Sequence, residues 1–141
     1  MTRAILVEDN SLMRQTLENI FRFHFSPVEL MALREGRHLI EQIKSFSPEL
    51  ILLPLKLPGE NSLELTRRIK AFCPDIRIVI MSSYDSPEYR EAVFLHGGDY
   101  LISKEASLGD YVSLIESILS THHHHGAPSG EQAPVSAKVE K

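Results

Sequence analysis

The sequence has 141 residues, 43% of them hydrophobic, which suits one domain with its own core. Its 15 Lys and Arg against 19 Asp and Glu give a net charge of −4 at pH 7, so we expect no basic surface for nucleic acid. A single cysteine, Cys73, excludes an internal disulfide, and the lack of a signal-like or membrane-length apolar run predicts a cytoplasmic protein without a membrane partner.

Five short apolar runs predict the strands of a buried sheet. They are rich in Ile, Val and Leu and comprise Ala4–Val7, Val28–Leu33, Leu50–Leu53, Ile76–Met81 and Tyr100–Ile102. Their residues do not alternate between apolar and polar, as those of a strand with one exposed face would. This pattern indicates parallel strands that are covered on both faces.

Segments with apolar residues at helical spacing separate these strands. The predicted helices are Ser11–Phe25, Arg37–Phe46, Ser62–Phe72, Pro87–His96 and Leu108–Leu119. Ser86 is the expected N-cap of the fourth helix, with Pro87 at its first position, and Gly97 ends it. The alternation predicts an α/β fold, in which five helices flank a five-stranded parallel sheet.

The predicted domain occupies residues 1–120. The segment that follows, 121–141, is small, polar and proline-containing, so we expect it to be disordered. It includes His122–His125, a run that is either natural or the remnant of an affinity tag and that could bind Zn²⁺ or Ni²⁺. Cys73 is interpreted as structural, and three histidines are interpreted as helix-surface residues: His24, His38 and His96.

Polar or unusual residues follow four of the predicted strands. Glu8 and Asp9 follow the first strand, Pro54 and Lys56 the third, Ser82 the fourth and Lys104 the fifth. Sites in open parallel sheets form at the carboxyl ends of the strands. We therefore expect these six residues to form one pocket.

In this order, the motifs resemble the receiver domain of two-component response regulators over roughly residues 3–120. The similar segments are Leu6–Asn10, Pro48–Leu53, Leu57–Gly59, Ile78–Ser83, and Gly97–Asp99 with Lys104. The resemblance implies a flavodoxin-like (CheY-like) strand order of 2-1-3-4-5, counting the predicted strands along the chain. It also implies two helices on one face of the sheet and three on the other.

The resemblance also implies a chemistry. In the family, an acidic pair and an acceptor aspartate hold Mg²⁺, and the aspartate takes a phosphoryl group. A Ser or Thr hydroxyl and a Lys then bind the phosphoryl oxygens. In this sequence Glu8 and Asp9 match the acidic pair, Ser82 matches the hydroxyl and Lys104 matches the lysine.

The sequence departs from the family at the acceptor itself, because that position falls on Pro54. Proline has neither a nucleophile nor a metal-binding side chain. Two milder departures are Ser62 in place of a glycine, and Leu101 in place of an aromatic residue, with Tyr100 one position early. We expect no cofactor beyond weak or vestigial Mg²⁺ at Glu8 and Asp9.

A lysine is expected to replace the metal as the cation of the pocket. Lys104 is the first candidate for an ion pair with Glu8 or Asp9, and Lys56 is the second. Without a phosphoryl group, Ser82 would be only a hydrogen-bonding residue at a strand end.

These features predict a phosphorylation-independent pseudo-receiver, a regulatory module without enzymatic activity. Its expected partner is a histidine kinase, an output protein, another regulator or a second copy of the chain. The fourth helix, last strand and last helix are expected to form the docking face, around Tyr89, Phe94, Tyr100 and Tyr111.

There are two alternatives to this function. The chain could be an active receiver that accepts a phosphoryl group on another carboxylate, such as Asp9. A flavin or nucleotide enzyme on the same fold is disfavoured, because residues 8–15 after the first strand contain no glycine-rich phosphate cradle.

Overall fold

The computed structural model describes residues 2–84 and 86–122. The elements in this part of the chain are, in order, β1 Arg3–Val7, α1 Ser11–His24, β2 Glu29–Leu33, α2 Leu39–Phe46, β3 Leu50–Pro54, β4 Lys56–Leu57, β5 Glu60–Asn61, α3 Ser62–Phe72, β6 Arg77–Ser82, α4 Pro87–Leu95, β7 Tyr100–Ser103 and α5 Leu108–His122. All predicted strands and helices are present, with small shifts at their ends. The antiparallel pair β4–β5 was not predicted.

The main sheet is parallel throughout and has the order β2-β1-β3-β6-β7. Since β4 and β5 form a separate small sheet, this is the predicted order of the five long strands. β3 lies at the centre, and its pairing with β6 runs from Leu50 opposite Arg77 to Pro54 opposite Met81. The predicted flavodoxin-like fold is confirmed.

Two apolar layers cover the sheet. Residues of α1 and α5, such as Phe21 and Ile115, pack on one face against strand residues that include Leu6 and Leu52. Residues of α2, α3 and α4 pack on the other face. Because strand side chains point alternately to opposite faces, each inner strand contributes to both layers, as its continuous apolar sequence requires.

Side-chain caps fix where three helices begin. The Asn10 side chain accepts a hydrogen bond from the Met13 amide at 2.8 Å, and the Asn61 side chain accepts one from the Glu64 amide at 3.0 Å. Ser86 caps α4 with Pro87 at its start, as predicted. These caps position the first turns of α1, α3 and α4 near the carboxyl edge of the sheet.

The end of the predicted domain remains a prediction. The helix α5 continues to His122, beyond the predicted helix end at Leu119. Most of the predicted disordered tail and its histidine run, from residue 123 onward, lie outside the described residues. Within the described chain, no helix combines the length and apolar character needed to cross a membrane.

Two residues of the predicted docking face are in the core instead. Tyr100 is 3% exposed and Tyr111 is 2% exposed, and both belong to the layer formed with α1 and α5. Tyr111 lies on the face of α5 that contacts the sheet. The prediction that these two tyrosines form a docking surface is therefore wrong.

The Tyr111 hydroxyl nevertheless has a specific role at the end of β7. It donates a hydrogen bond to the Ser103 carbonyl oxygen at 3.1 Å. Burial, together with the negative charges of Glu8 and Glu105, raises the pKa of the Tyr111 phenol well above its usual range. The folded protein therefore keeps this proton more tightly than the unfolded chain does.

This difference predicts an alkaline loss of stability. The contribution of Tyr111 to the free energy of unfolding is fully present below about pH 10, the pKa of an unperturbed phenol. This contribution is lost as the pH rises further, and the free energy of unfolding should be lower by about 1.4 kcal/mol at pH 11. Tyr111→Phe lacks the hydrogen bond to Ser103, so its free energy of unfolding at pH 8 should be about 1 kcal/mol lower than that of the parent. Between pH 8 and pH 11 that free energy should fall less in the variant than in the parent, because the variant has no phenol to ionise at this position. Urea unfolding at both pH values tests this, with the exposed Tyr84→Phe as control. Equal declines in all three proteins would contradict it.

Candidate functional site

Four strand ends meet at the carboxyl edge of the sheet. Glu8 follows β1, Pro54 ends β3, Ser82 ends β6 and Lys104 follows β7. Beside them, the β4–β5 pair and α4 border a cleft of about 590 Å³. The lining residues of the cleft are Asp9, Leu55, Lys56, Leu57, Pro58, Glu60, Asn61, Ser62, Leu63 and Tyr89.

A buried ion pair joins the first and last strand ends of this group. The Glu8 side chain is completely buried, and the Lys104 ammonium lies 3.0 Å from its Oε1 atom and 3.1 Å from its Oε2 atom. Only the contact with Oε2 has hydrogen-bond geometry, so Oε1 interacts with the charge alone. The Asn10 amide also donates to Oε2 at 3.0 Å. Lys104 therefore occupies the place predicted for it, with Glu8 as its partner.

Glu8 also contacts a second cation, Arg14, which the sequence did not predict. The Arg14 guanidinium donates a hydrogen bond to the backbone oxygen of Glu8 at 2.8 Å. Because Asn10 caps α1, Arg14 lies in the first turns of the helix and can reach back over the end of β1. Arg14 follows the N-cap Asn10 by one helical turn, and this spacing could have indicated that its side chain lies near the acidic pair.

Asp9 and Lys56 lie apart from this ion pair. Asp9 is exposed and lines the cleft. The Lys56 ammonium lies 5.4 Å from the centroid of the Tyr84 ring, in cation–π range. In β4 the neighbouring Leu57 points into the core, so Lys56 points outward to solvent. The second candidate for the pocket cation is therefore placed against an aromatic ring rather than against Glu8.

Pro54 lies at the end of β3, where its lack of a backbone N–H costs the sheet no hydrogen bond. The Leu55 amide donates to the Met81 oxygen on β6, so the nitrogen of the preceding residue points toward β1. The pairing of β3 with β1 ends at Leu52. The missing N–H of Pro54 thus falls where no strand partner is present.

The Pro54 carbonyl is used within the protein. It accepts a hydrogen bond of 2.6 Å from the hydroxyl of Ser62, which is buried at the start of α3. The serine found in place of the family glycine therefore ties α3 to the end of β3. At the position that the resemblance assigns to the acceptor, the protein presents a pyrrolidine ring and a carbonyl oxygen that accepts a hydrogen bond.

The Ser82 hydroxyl is also occupied. It donates to the Tyr84 carbonyl at 3.1 Å and accepts from the Tyr84 amide at 2.8 Å. The Tyr84 ring stacks on that of Tyr89, with centroids 5.1 Å apart. Ser82 thus stabilises its own turn, which is the strand-end role expected of it without a phosphoryl group.

Of the remaining predicted residues, Tyr89 is partly exposed and Phe94 is 36% exposed, both on α4. Cys73 is a partly buried residue at the end of α3. Across residues 2–84 and 86–122, no cluster of three or more His, Cys, Asp or Glu side chains is placed to hold a metal. Where the resemblance expects Mg²⁺, the Glu8 carboxylate already contacts an ammonium.

The Glu8–Lys104 ion pair should stabilise the folded protein. Lys104→Met leaves the Glu8 carboxylate buried without a cation, and we expect a loss of about 3 kcal/mol, the low end for a broken buried pair because a quarter of Lys104 is exposed. The matched control Lys56→Met removes an exposed lysine and should cost less than about 0.5 kcal/mol. Adding Glu8→Gln to Lys104→Met should restore part of the loss. Chemical unfolding tests this, and similar losses for both lysines would rule out the proposed coupling.

The sequence is similar to a known family and to longer regulatory proteins. The sequence model described as the response regulator receiver domain matches residues 4–116. Fimbriae Z protein of Salmonella typhimurium is 24% identical over 83% of this chain and 56% of its own length. Transcriptional regulatory protein DegU of Brevibacillus brevis is 24% identical over 82% of this chain and 48% of its own length. The chain thus spans about half the length of these relatives.

Solved structures show the same architecture. A CheY-like response regulator receiver domain protein from Methanospirillum hungatei superposes with a TM-score of 0.80 at 21% identity, over 89% of this chain and 99% of that one. A LuxR-family DNA-binding response regulator from Staphylococcus aureus superposes with a TM-score of 0.74 at 24% identity, over 86% of this chain and 99% of that one. Because the family match covers residues 4–116, the chain belongs to the response regulator receiver domain family of two-component signalling.

Proposed function

We propose that this receiver domain works without phosphorylation, as a regulatory module that binds another signalling protein in one constitutive state. The observation that supports the proposal most is Pro54 at the position of the phosphate-accepting aspartate. A proline ring cannot attack a phosphoryl donor and adds no ligand for Mg²⁺.

The electrostatics of the pocket point the same way. Two adjacent carboxylates at a sheet edge need a counter-charge, and in this protein an ammonium of the chain itself contacts Glu8. Mg²⁺ would have to displace Lys104 and would find only two carboxylates, of which Glu8 is completely buried. We therefore propose that Mg²⁺ binding is weak and has no regulatory role.

A receiver that lacks a phosphoryl input can still be regulated by its partner. A partner changes the population of states only if it binds one of them more tightly. We propose that the docking surface lies on α4, around Tyr89 and Phe94, and that the partner is a histidine kinase, an output protein, another regulator or a second copy of the chain. Relatives that are longer than this chain include transcriptional regulators and a protein-glutamate methylesterase, so output proteins of several kinds are compatible.

A second candidate function rests on Asp9. Its exposed carboxylate lines the cleft and is accessible to a small phosphoryl donor. In that case the domain would be an active receiver with a displaced acceptor.

Incubation with acetyl phosphate and Mg²⁺, followed by intact mass measurement, distinguishes the two candidates. We expect no adduct of about 80 Da on the parent protein, because no acceptor lies at position 54. The Pro54→Asp variant and an unrelated active receiver serve as comparison and positive control. An adduct on the parent that disappears in Asp9→Asn would replace our proposal with the second candidate.

A further inference from the structure

We propose that Glu105 is a built-in anion that ties the residues after β6 to the end of β7 and so holds the start of α4 in one position. The inference deepens the proposed function and rests on it, since it explains how one state is kept without a phosphoryl group. The relevant side chains are Ser83, Ser103 and Glu105.

Both carboxylate oxygens of Glu105 accept hydrogen bonds, and the donors come from two neighbouring strand ends. The Ser83 hydroxyl donates to Oε2 at 3.1 Å, and the Ser103 hydroxyl donates to Oε1 at 3.2 Å. The Glu105 amide in turn donates to the Ser103 hydroxyl at 3.1 Å, which fixes the direction of the side chain. Hydrogen bonds to a charged acceptor are stronger than those between neutral groups.

The segment that Glu105 contacts is also held from other sides. The Ser82 hydroxyl bonds to both the amide and the carbonyl of Tyr84. The Tyr84 ring contacts Lys56 of β4 and stacks on Tyr89 of α4. Residues 82–84 are therefore connected to β4, to α4 and, through Glu105, to the end of β7.

The Tyr84–Tyr89 stack joins this segment to the first turn of α4. Ser86 caps α4, and the helix starts at Pro87, only a few residues beyond Ser83. A shift of Ser83 and Tyr84 would therefore disturb the ring stack with Tyr89, which belongs to the proposed docking surface. The tie uses a side chain of the protein itself, so it requires no ligand and no modification.

Native-state hydrogen exchange, measured by NMR on the whole chain, tests this role. The reporters are the Tyr84 amide, which donates to Ser82 Oγ, and the Arg90 amide, which donates to the Ser86 carbonyl. In Glu105→Ala both should exchange about threefold faster, because two charge-assisted but solvent-exposed hydrogen bonds are lost. The Ser47 amide, bonded to Ile43 at the end of α2, should keep its rate.

Three further variants make the result specific. Glu105→Gln keeps one acceptor oxygen and no charge, so its exchange rates should be intermediate. Glu116→Ala removes an exposed carboxylate of α5 and should change none of the reporters. Ser83→Ala removes only the bond to Oε2, so it should accelerate exchange less than Glu105→Ala does. The double variant should exchange no faster than Glu105→Ala alone, because the bond from Ser83 is already lost there.

Two results would overturn the inference. One is an unchanged rate at Tyr84 and Arg90 in Glu105→Ala. The other is an equal acceleration at Ser47, which would show that Glu105 only stabilises the whole domain. The acetyl phosphate experiment is independent of these rates, so a phosphorylated parent with a functioning tie would remove the proposed function and leave the tie in place.

Discussion

The ion pair between Glu8 and Lys104 is the interaction on which the rest of the site depends. An open parallel sheet gathers its strand ends at one edge, and there this chain buries a carboxylate completely. A buried charge is tolerated only when it is paired and hydrogen-bonded. The Lys104 ammonium pairs with the charge, and Oε2 accepts hydrogen bonds from Lys104 and the Asn10 amide, whereas Oε1 contacts the ammonium without a hydrogen bond.

Other polar groups of the same edge are also satisfied from within the chain. Ser62 donates to the Pro54 carbonyl, and Ser82 is bonded within its own turn. Pro54, which the resemblance aligns with the acceptor aspartate, and the hydroxyls of Ser62 and Ser82 thus all take part in contacts within the chain.

Much of the fold could be predicted because parallel strands buried on both faces give continuous apolar runs, and because the strand-end motifs occur in a diagnostic order. The contact between Lys104 and the acidic pair could be predicted for a related reason, since carboxyl ends of parallel strands share one edge. The β4–β5 pair could not, because two-residue strands are too short to show a period. The side-chain direction of Lys56, placed over Tyr84, depends on that unpredicted pair.

The wrong placement of Tyr111 has a simple cause. The sequence offers two overlapping apolar stripes on α5, and the predicted one contained Leu108, Val112, Ile115 and Leu119. The stripe that packs on the sheet contains Tyr111, Leu114, Ile115 and Ile118, while Leu108 is 57% exposed. A rotation of the helix by about one residue moves the tyrosine from the surface to the core, and periodicity alone does not distinguish the two.

We propose that Lys104, which contacts Glu8, takes the place of a divalent cation in this pocket. Titration of Mg²⁺ up to about 10 mM into the isotope-labelled parent and Lys104→Met, followed by NMR, tests it most directly. The account predicts that the amide signals of Glu8, Asp9 and Asn10 stay unchanged in the parent and shift on Mg²⁺ addition in Lys104→Met. Saturable shifts of these signals in the parent at submillimolar Mg²⁺ would contradict it.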